Sequence, residues 1–283
     1  MSNNQAYSTT VETAREYYNS EDADNFYFHV WGGEDIHVGL YQSDDQPIRD
    51  ASRLTVERMA DKLAGLSRDH KVLDVGGGYG GSMRYLSQKF GCRTTVLNLS
   101  EVENERDRQM NKEQGLDPLV SVDDGDFENL PYDDASFDFV WSQDAILHSG
   151  NRERVLQEVA RVLKPGGLFV MTDPMQDDHA PTDQLQPIYD RIHLESLGSP
   201  GFYEKAGKKA GLEFVEFEDH SHQLTNHYSR VRAELEKNED DLKAQGIVSD
   251  DYIQRMKKGL GHWIEGGKAG HLRWGIFTMK KPA

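Results

Sequence analysis

Cysteine is nearly absent from this sequence, since Cys92 is the single one among 283 residues. One cysteine excludes an internal disulfide and is typical of a reducing compartment. Long apolar runs are also missing: stretches such as Leu168–Met171 fall far below the ~20 residues that span a bilayer. The segment Met1–Thr10 is polar and has no apolar signal region. We therefore expect a cytoplasmic protein.

Positive charge is scarce as well, with 32 basic against 49 acidic residues and a net charge of −17. A basic footprint is what nucleic-acid binding and docking on anionic membranes need, so neither partner is expected. The acidity suits a protein that works in salty cytoplasm, where screening weakens surface repulsion. The spacing of the histidines fits no zinc pattern, and no metal is predicted.

Residues 71–173 alternate strand and helix patterns. The predicted strands are Lys71–Val75, Thr94–Leu99, Leu119–Val122, Phe137–Trp141 and Leu168–Thr172. Helices are predicted between them, at Ser82–Phe90, Glu101–Gln114 and Arg152–Leu163. This order predicts an α/β fold with a parallel sheet and helices on both faces.

Both flanks of this region differ from it. Residues 1–66, which we call the N-terminal lid, are predicted to be mostly helical and to contain a glycine-bearing aromatic loop. Residues 67–175 would form an α/β core and residues 176–283 the remaining helices and strands of one continuous domain. Beyond the core, the predicted helices are 184–197, 202–210 and 226–265, and the predicted strands are 212–218 and 273–279. The last two strands flank a helical insert, so the mostly parallel sheet is expected to have seven strands and an antiparallel last strand.

The strongest motif is a strand that runs directly into a glycine-rich turn and then a helix. Glycines let a backbone approach a ligand closely, but the turn also satisfies the weakly specific dinucleotide pattern G-x-G-x-x-G. Asp74 favours another interpretation, because Asp74, Gly76, Gly78 and Gly80 resemble the first motif of class I methyltransferases. That resemblance implies a Rossmann-like fold and S-adenosylmethionine as cofactor, whose cationic sulfonium and amino group suit a carboxylate.

Three further segments fit the same class. Asn98 ends the second strand, where an Asp or Glu normally meets the ribose hydroxyls; an amide can still hydrogen-bond a diol. After the third strand, Asp126 would accept from the adenine amino group and Phe127 would pack on the ring. Ligands of open α/β sheets lie beyond the carboxyl ends of strands. This places four residues near the methyl group: Trp141, Gln143, Asp144 and His148.

The resemblance extends over the whole chain to methyltransferases that act on sarcosine and dimethylglycine to make glycine betaine. The residues that carry it are Leu97–Leu99, Trp141–Ala145, Thr172–Met175, Gln186–Ile188, Asp190–Ile192, His227–Ser229 and Gly261–Gly270. The last two lie in the C-terminal insert, outside generic cofactor chemistry. The resemblance implies N-methylation of these small amino acids, with S-adenosylhomocysteine as the second product.

More distantly, the chain resembles phosphoethanolamine methyltransferases at Asp144–His148, Tyr27–Gly32 and Arg273–Phe277. In that family a tyrosine and a histidine form a catalytic pair, and an arginine after the fifth strand binds the substrate's anionic end. The resemblance implies these roles for Tyr27, His148 and Arg191, with Asp144 beside the pair.

Methyl transfer from a sulfonium needs a neutral amine held in line and water excluded, so His148 is expected to accept a proton. Aromatic faces suit the cationic donor and product. Trp31 is expected beside the cofactor, and the remaining predicted substrate contacts are Tyr41, Trp141 and His193.

Alternatives remain open at this point. One is a phosphoethanolamine-type or other small-amine enzyme. Another is a lipid C-methylating or cyclopropane-forming enzyme, which the negative charge opposes. A cofactor-binding protein without catalysis and a hydride-transfer enzyme are the remaining two. Acceptance of glycine, the number of methyl groups added, and a monomeric or dimeric state are also open.

Overall fold

The computed structural model describes residues 7–283, so the first six residues of the predicted lid lie outside the described residues. The helices are α1 (Thr9–Tyr18), α2 (Glu21–Phe26), α3 (Ile48–Ala60), α4 (Gly81–Phe90), α5 (Glu101–Glu113), α6 (Arg152–Val162), α7 (Thr182–Ile192), α8 (Pro200–Lys209), α9 (Ser221–Ala244) and α10 (Asp250–Lys268). A π-helical turn covers Tyr27–Trp31, and a 3₁₀ turn covers Ile146–His148. The strands are β1 (Lys71–Val75), β2 (Arg93–Asn98), β3 (Val120–Asp124), β4 (Phe137–Gln143), β5 (Leu163–Thr172), β6 (Met175–Gln176), β7 (Glu213–Asp219), β8 (Leu272–Arg273) and β9 (Gly275–Lys280).

Seven strands form the main sheet, in the order β3-β2-β1-β4-β5-β9-β7. Strands β1 to β5 run parallel, and β9 pairs antiparallel with both β5 and β7. The predicted mostly parallel sheet with an antiparallel last strand is confirmed. The strand order reverses between β1 and β4, where Asp74 pairs with Trp141. Ligands of open α/β sheets bind in the crevice outside such a reversal.

Burial explains why this part of the chain forms a parallel sheet. Four of the five β1 residues are buried, as expected of a strand covered by helices on both faces. Two apolar clusters fill the space between the sheet and its helices. A third joins the lid to α7, α9 and α10, and contains Phe26, Trp31 and Trp263.

Polar contacts fasten the lid over the crevice. Arg15 donates to Glu101 at the start of α5. On the other side, the hydroxyls of Tyr17 and Tyr252 lie 2.8 Å apart, and Asp22 accepts from the backbone of Ser249 at 2.7 Å. The lid therefore bridges the sheet and the insert.

Two predicted helices end differently in the structure. The helix predicted over 226–265 begins earlier and is two helices, broken at Gly246 (φ 65°) and restarted by the capping hydroxyl of Ser249. The helix predicted over 184–197 ends at Ile192, because His193 adopts φ 55°. The small β6–β8 sheet was not predicted, since two-residue strands leave no periodic pattern.

Among the helices within residues 7–283, none combines the length and apolarity that a membrane crossing requires. Over the same residues, no group of three His, Cys, Asp or Glu side chains is placed to hold a metal ion.

Candidate active site

A cavity of about 770 Å³ opens at the carboxyl ends of β1 and β4. The sheet forms its floor, the lid covers one side and the insert closes the other. Most of the predicted cofactor and substrate residues line this single space. They are Tyr27, Trp31, Asp74, Gly76, Gly78, Asn98, Asp126, Phe127, Gln143, Asp144, His148, Arg191 and His193.

The glycine turn after β1 needs residues without side chains. Gly76, Gly78 and Gly80 all have positive φ, at 84°, 52° and 72°. A methyl at Gly76 would collide with Ala145 and lie 3.5 Å from Phe127. At Gly80 the collision would be with Asp107, and Gly80 itself does not line the cavity. We therefore assign Gly80 to the turn rather than to ligand contact.

Two residues that line the cavity each have a buried polar atom without a partner among residues 7–283. These atoms are Oδ1 of Asp74 and Nε2 of Gln143. Gln143 is oriented by two donors to its oxygen, Ser82 at 2.5 Å and Trp141 Nε1 at 2.8 Å. Burial, and then Asp107, raise the pKa of Asp74 well above its usual value. The carboxylate suits the cofactor's ammonium, and the amide donor suits its carboxylate.

Glu103 places a carboxyl group beside Asn98. Asn98 donates to Oε2 of Glu103 at 2.9 Å, while Oε1 is buried and has no partner within the described chain. Both residues line the cavity, and burial raises the pKa of Glu103 to about 7. Glu103 was not predicted as a site residue; it lies inside the predicted helix Glu101–Gln114. In the structure Ser100 caps this helix by accepting from the backbone N–H of Glu103, and the Glu103 carboxyl lies beside Asn98, where it suits a ribose hydroxyl.

The residues predicted for the adenine lie together after β3. Asp126 accepts from the backbone of Glu128 at 2.8 Å, and Phe127 packs against the glycine turn. A carboxylate beside an aromatic face is suited to an adenine amino group and ring. With Asp74, Gln143 and Glu103, these residues fit S-adenosylmethionine.

On the acceptor side, His148 pairs with Tyr18 rather than with Tyr27. The Tyr18 hydroxyl lies 2.7 Å from Nε2 of His148. Tyr27 stacks behind Tyr18, with ring centroids 5.8 Å apart. Burial, then Arg152 and Arg191, lower the pKa of His148 to about 4. The Tyr27–His148 pair that the resemblance implied is not a direct hydrogen bond among the described residues, and Tyr18, nine positions earlier in the chain, contacts His148 in its place.

Asp144 holds the site together and leaves neither oxygen free. One oxygen accepts from the backbone of Val38 at 2.7 Å and the other from Trp274 Nε1 at 2.8 Å. Asp144 has a backbone φ of 51° and lines the cavity. Asp173 similarly accepts from the backbone of Leu147 at 2.9 Å, beside His148. We therefore treat Asp144 as a positioning residue rather than a base.

Aromatic rings surround the space between these groups. Tyr27 lies 5.3 Å from Trp31, Trp31 6.0 Å from Tyr228, and Tyr228 5.3 Å from Trp263, measured between ring centroids. All four line the cavity, as does Tyr18. Such a wall suits a cationic methyl donor and a quaternary ammonium product.

Arg191 brings a positive charge to the cavity wall, and this charge helps to lower the pKa of His148. Its Nη2 lies 2.9 Å from the sulfur of Met256, and no ion pair joins it to a carboxylate within residues 7–283. His193 follows it at the exposed rim. A guanidinium without a protein carboxylate is suited to bind the carboxylate of a ligand.

Two predicted substrate contacts do not line the cavity. Trp141 is fully buried within the sheet and donates to Gln143. Tyr41 lies 3.0 Å from Nδ1 of His227 through its hydroxyl. Trp141 therefore orients Gln143, and Tyr41 orients His227, without direct access to the cavity.

A family model for a methyltransferase domain matches residues 73–171. Together with the sheet order and the cavity at its reversal, this match makes the chain a class I methyltransferase, with S-adenosylmethionine as its methyl donor. The chain is 60% identical to a sarcosine/dimethylglycine N-methyltransferase from Halorhodospira halochloris, over 96% of each. It is 46% identical to a dimethylglycine N-methyltransferase from Parasynechococcus marenigrum, over 95% of each. The chain belongs to the family of sarcosine/dimethylglycine N-methyltransferases.

A solved structure has the same fold. It is the Galdieria sulphuraria protein assigned as a sarcosine dimethylglycine methyltransferase, with a TM-score of 0.89 and 46% identity. The match covers 94% of this chain and 99% of that one. The lid and the insert are therefore shared along with the cofactor core.

Proposed function

We propose that the protein transfers methyl groups from S-adenosylmethionine to the nitrogen of dimethylglycine, and of sarcosine, to make glycine betaine. Dimethylglycine appears in the names of all three relatives described above. The observation that carries the proposal is that one aromatic-walled cavity holds both the Tyr18–His148 pair and Arg191, a guanidinium with no carboxylate partner among residues 7–283. A small amino acid likewise carries an amine and a carboxylate within a few bonds of each other.

Each end of the acceptor has a distinct task. Arg191 would bind the carboxylate and fix the distance of the nitrogen from the methyl group. The amine must lose its proton before its lone pair can attack. Burial, Arg152 and Arg191 lower the pKa of His148 to about 4 and keep it neutral at pH 7. In the tautomer with a free Nε2 lone pair, the Tyr18 hydroxyl would take the proton of the amine while it passes its own proton to Nε2 of His148.

The protein's remaining groups exclude water and stabilise positive charge. The bound cofactor supplies an electrophilic methyl group. Tyr27, Trp31 and Tyr228 present aromatic faces to the cationic nitrogen as it becomes quaternary. The lid contacts of Arg15 and Tyr17 keep the cavity covered.

Charge and cysteine content bear on where the protein works and what it binds. A net charge of −17 and a single cysteine support a cytoplasmic enzyme without nucleic-acid or membrane partners. We retain the division into a lid (1–66), a cofactor core (67–175) and a substrate side (176–283) as regions of one continuous domain.

Replacing Arg191 tests the orientation of the acceptor. Arg191→Ala should raise KM for dimethylglycine at least about tenfold, since an unpaired carboxylate loses a charged hydrogen bond. Its affinity for S-adenosylhomocysteine should be unchanged. N,N-dimethylethanolamine, which lacks the carboxylate, serves as the control acceptor, and its KM should be the same in Arg191→Ala and the wild type. An unchanged KM for dimethylglycine would place the anion site elsewhere.

A further inference from the structure

Helix α10 carries a glycine where the arginine of the cavity lies against it. A methyl built on Gly259 would overlap Nη1 of Arg191 and lie 2.5 Å from its Cζ and 2.8 Å from its Cδ. These distances are too short for atoms that are not bonded. The outer half of the Arg191 side chain therefore occupies the volume that a side chain at 259 would fill.

Glycine is otherwise unfavourable at this position. Gly259 lies in the interior of α10, where glycine destabilises a helix relative to alanine. Its backbone has no positive φ that would require glycine. The contact with Arg191 is the physical reason that the structure offers for it.

The neighbours of Arg191 leave it little other room. Met256 lies one turn before Gly259 and contacts Nη2. The Tyr17 hydroxyl lies 3.8 Å from the same sulfur and 2.8 Å from the Tyr252 hydroxyl. These side chains line the cavity together with Arg191, while a methyl at Gly259 would press on the guanidinium from α10. A displaced arginine would therefore move away from α10 and into the cavity.

We propose that Gly259 is a positioning residue for the acceptor's carboxylate, because its missing side chain seats the Arg191 guanidinium against α10. The inference rests on the proposed role of Arg191. A side chain at 259 would shift the guanidinium into the space of the carboxylate and shorten the cavity at that end. Gly259 thus sets how far the bound nitrogen reaches toward the methyl group.

A double-mutant cycle measures this effect by binding rather than turnover. The measured quantity is the calorimetric Kd of dimethylglycine for protein saturated with S-adenosylhomocysteine. Gly259→Ala should weaken binding about tenfold, as expected for a lost charged hydrogen bond. In the Arg191→Ala background, Gly259→Ala should change Kd less than about twofold, because the residue acts through Arg191.

Gly261 on the same helix is the matched control. A methyl there would meet Arg232 at 3.4 Å, an ordinary contact. Gly261→Ala should leave the Kd of dimethylglycine unchanged and the melting temperature unchanged or slightly raised. Unchanged melting temperature and S-adenosylhomocysteine affinity in Gly259→Ala would show that the helix is intact.

Each other outcome has one meaning. Wild-type protein that binds no dimethylglycine overturns the proposed function and the inference with it. Wild-type protein that binds dimethylglycine while Gly259→Ala binds it equally well overturns the inference alone. If Gly259→Ala weakens dimethylglycine binding as much in the Arg191→Ala background as in the wild type, the inference is overturned as well. An equal loss of dimethylglycine affinity in Gly261→Ala also overturns it.

Discussion

The hydroxyl of Tyr18 lies 2.7 Å from Nε2 of His148, at the wall of the cavity that holds the reacting groups. Burial raises the pKa of Tyr18 well above its usual value. Burial, Arg152 and Arg191 lower that of His148 to about 4. Both groups are therefore neutral at physiological pH, and a single hydrogen bond joins them. This pair links the lid to the exit of β4.

His148→Gln should lower kcat for dimethylglycine about 10²-fold at neutral pH, the lower end of the effect of a general base. The loss should shrink as pH rises, because free amine then accumulates without the histidine. The wild-type rate should show no loss of the histidine's function until pH approaches its folded-state pKa of about 4. Steady-state kinetics across pH measure both effects.

Tyr18→Phe tests the partner of the histidine. It should lower kcat while cofactor affinity is kept, and Tyr27→Phe should have the smaller effect because Tyr27 stacks behind Tyr18. Tyr85→Phe is a suitable control, since that hydroxyl contacts only Lys89 among the described residues and lies at the surface. A larger loss in Tyr27→Phe than in Tyr18→Phe would reverse the assignment.

The cofactor site depends on Asp74. Asp74→Ala should weaken S-adenosylmethionine binding about tenfold or more, because the ligand's ammonium then loses its charged partner. Calorimetry with S-adenosylhomocysteine measures the change. The exposed Asp69 supplies the control substitution, Asp69→Ala. A folded Asp74→Ala protein with wild-type affinity would contradict the site.

Glu103 makes cofactor binding depend on pH. In the free protein its pKa is raised to about 7, mainly by burial. Ribose hydroxyls that donate to the carboxylate favour its charged form, so binding should lower this pKa and release protons. Affinity should then rise as pH increases from about 6 to about 8. Glu103→Gln should flatten this dependence; an equally steep profile in the variant would exclude Glu103 as its source.

The sequence predicted the secondary-structure elements better than it predicted the tertiary contacts of the site. The alternation of strands and helices defined the sheet, and the glycines with Asp74 marked the cofactor turn. Tyr18 and Glu103 were missed because their roles depend on tertiary contacts. Tyr18 reaches His148 only when α1 packs against the turn that follows β4. Glu103 lies in a predicted helix, and its contact with Asn98 appears only when that helix packs beside β2. Trp141 lies on a predicted strand, but the strand pattern alone does not show whether its side chain faces the cavity or the buried core.

The net charge of −17 predicts a response to salt. Screening relieves the repulsion among surface carboxylates, so melting temperature and activity should hold or rise from low salt to about 1 M. Differential scanning fluorimetry over a sodium chloride series provides the measurement. A steady fall in both quantities over that range would contradict the expectation.

The acceptor itself tests the account most directly. Purified protein and methyl-labelled S-adenosylmethionine would be incubated separately with glycine, sarcosine, dimethylglycine, phosphoethanolamine and histamine, and the products identified by mass spectrometry. The account predicts labelled glycine betaine from dimethylglycine, and labelled dimethylglycine or betaine from sarcosine. Transfer of label to phosphoethanolamine but not to dimethylglycine would contradict it.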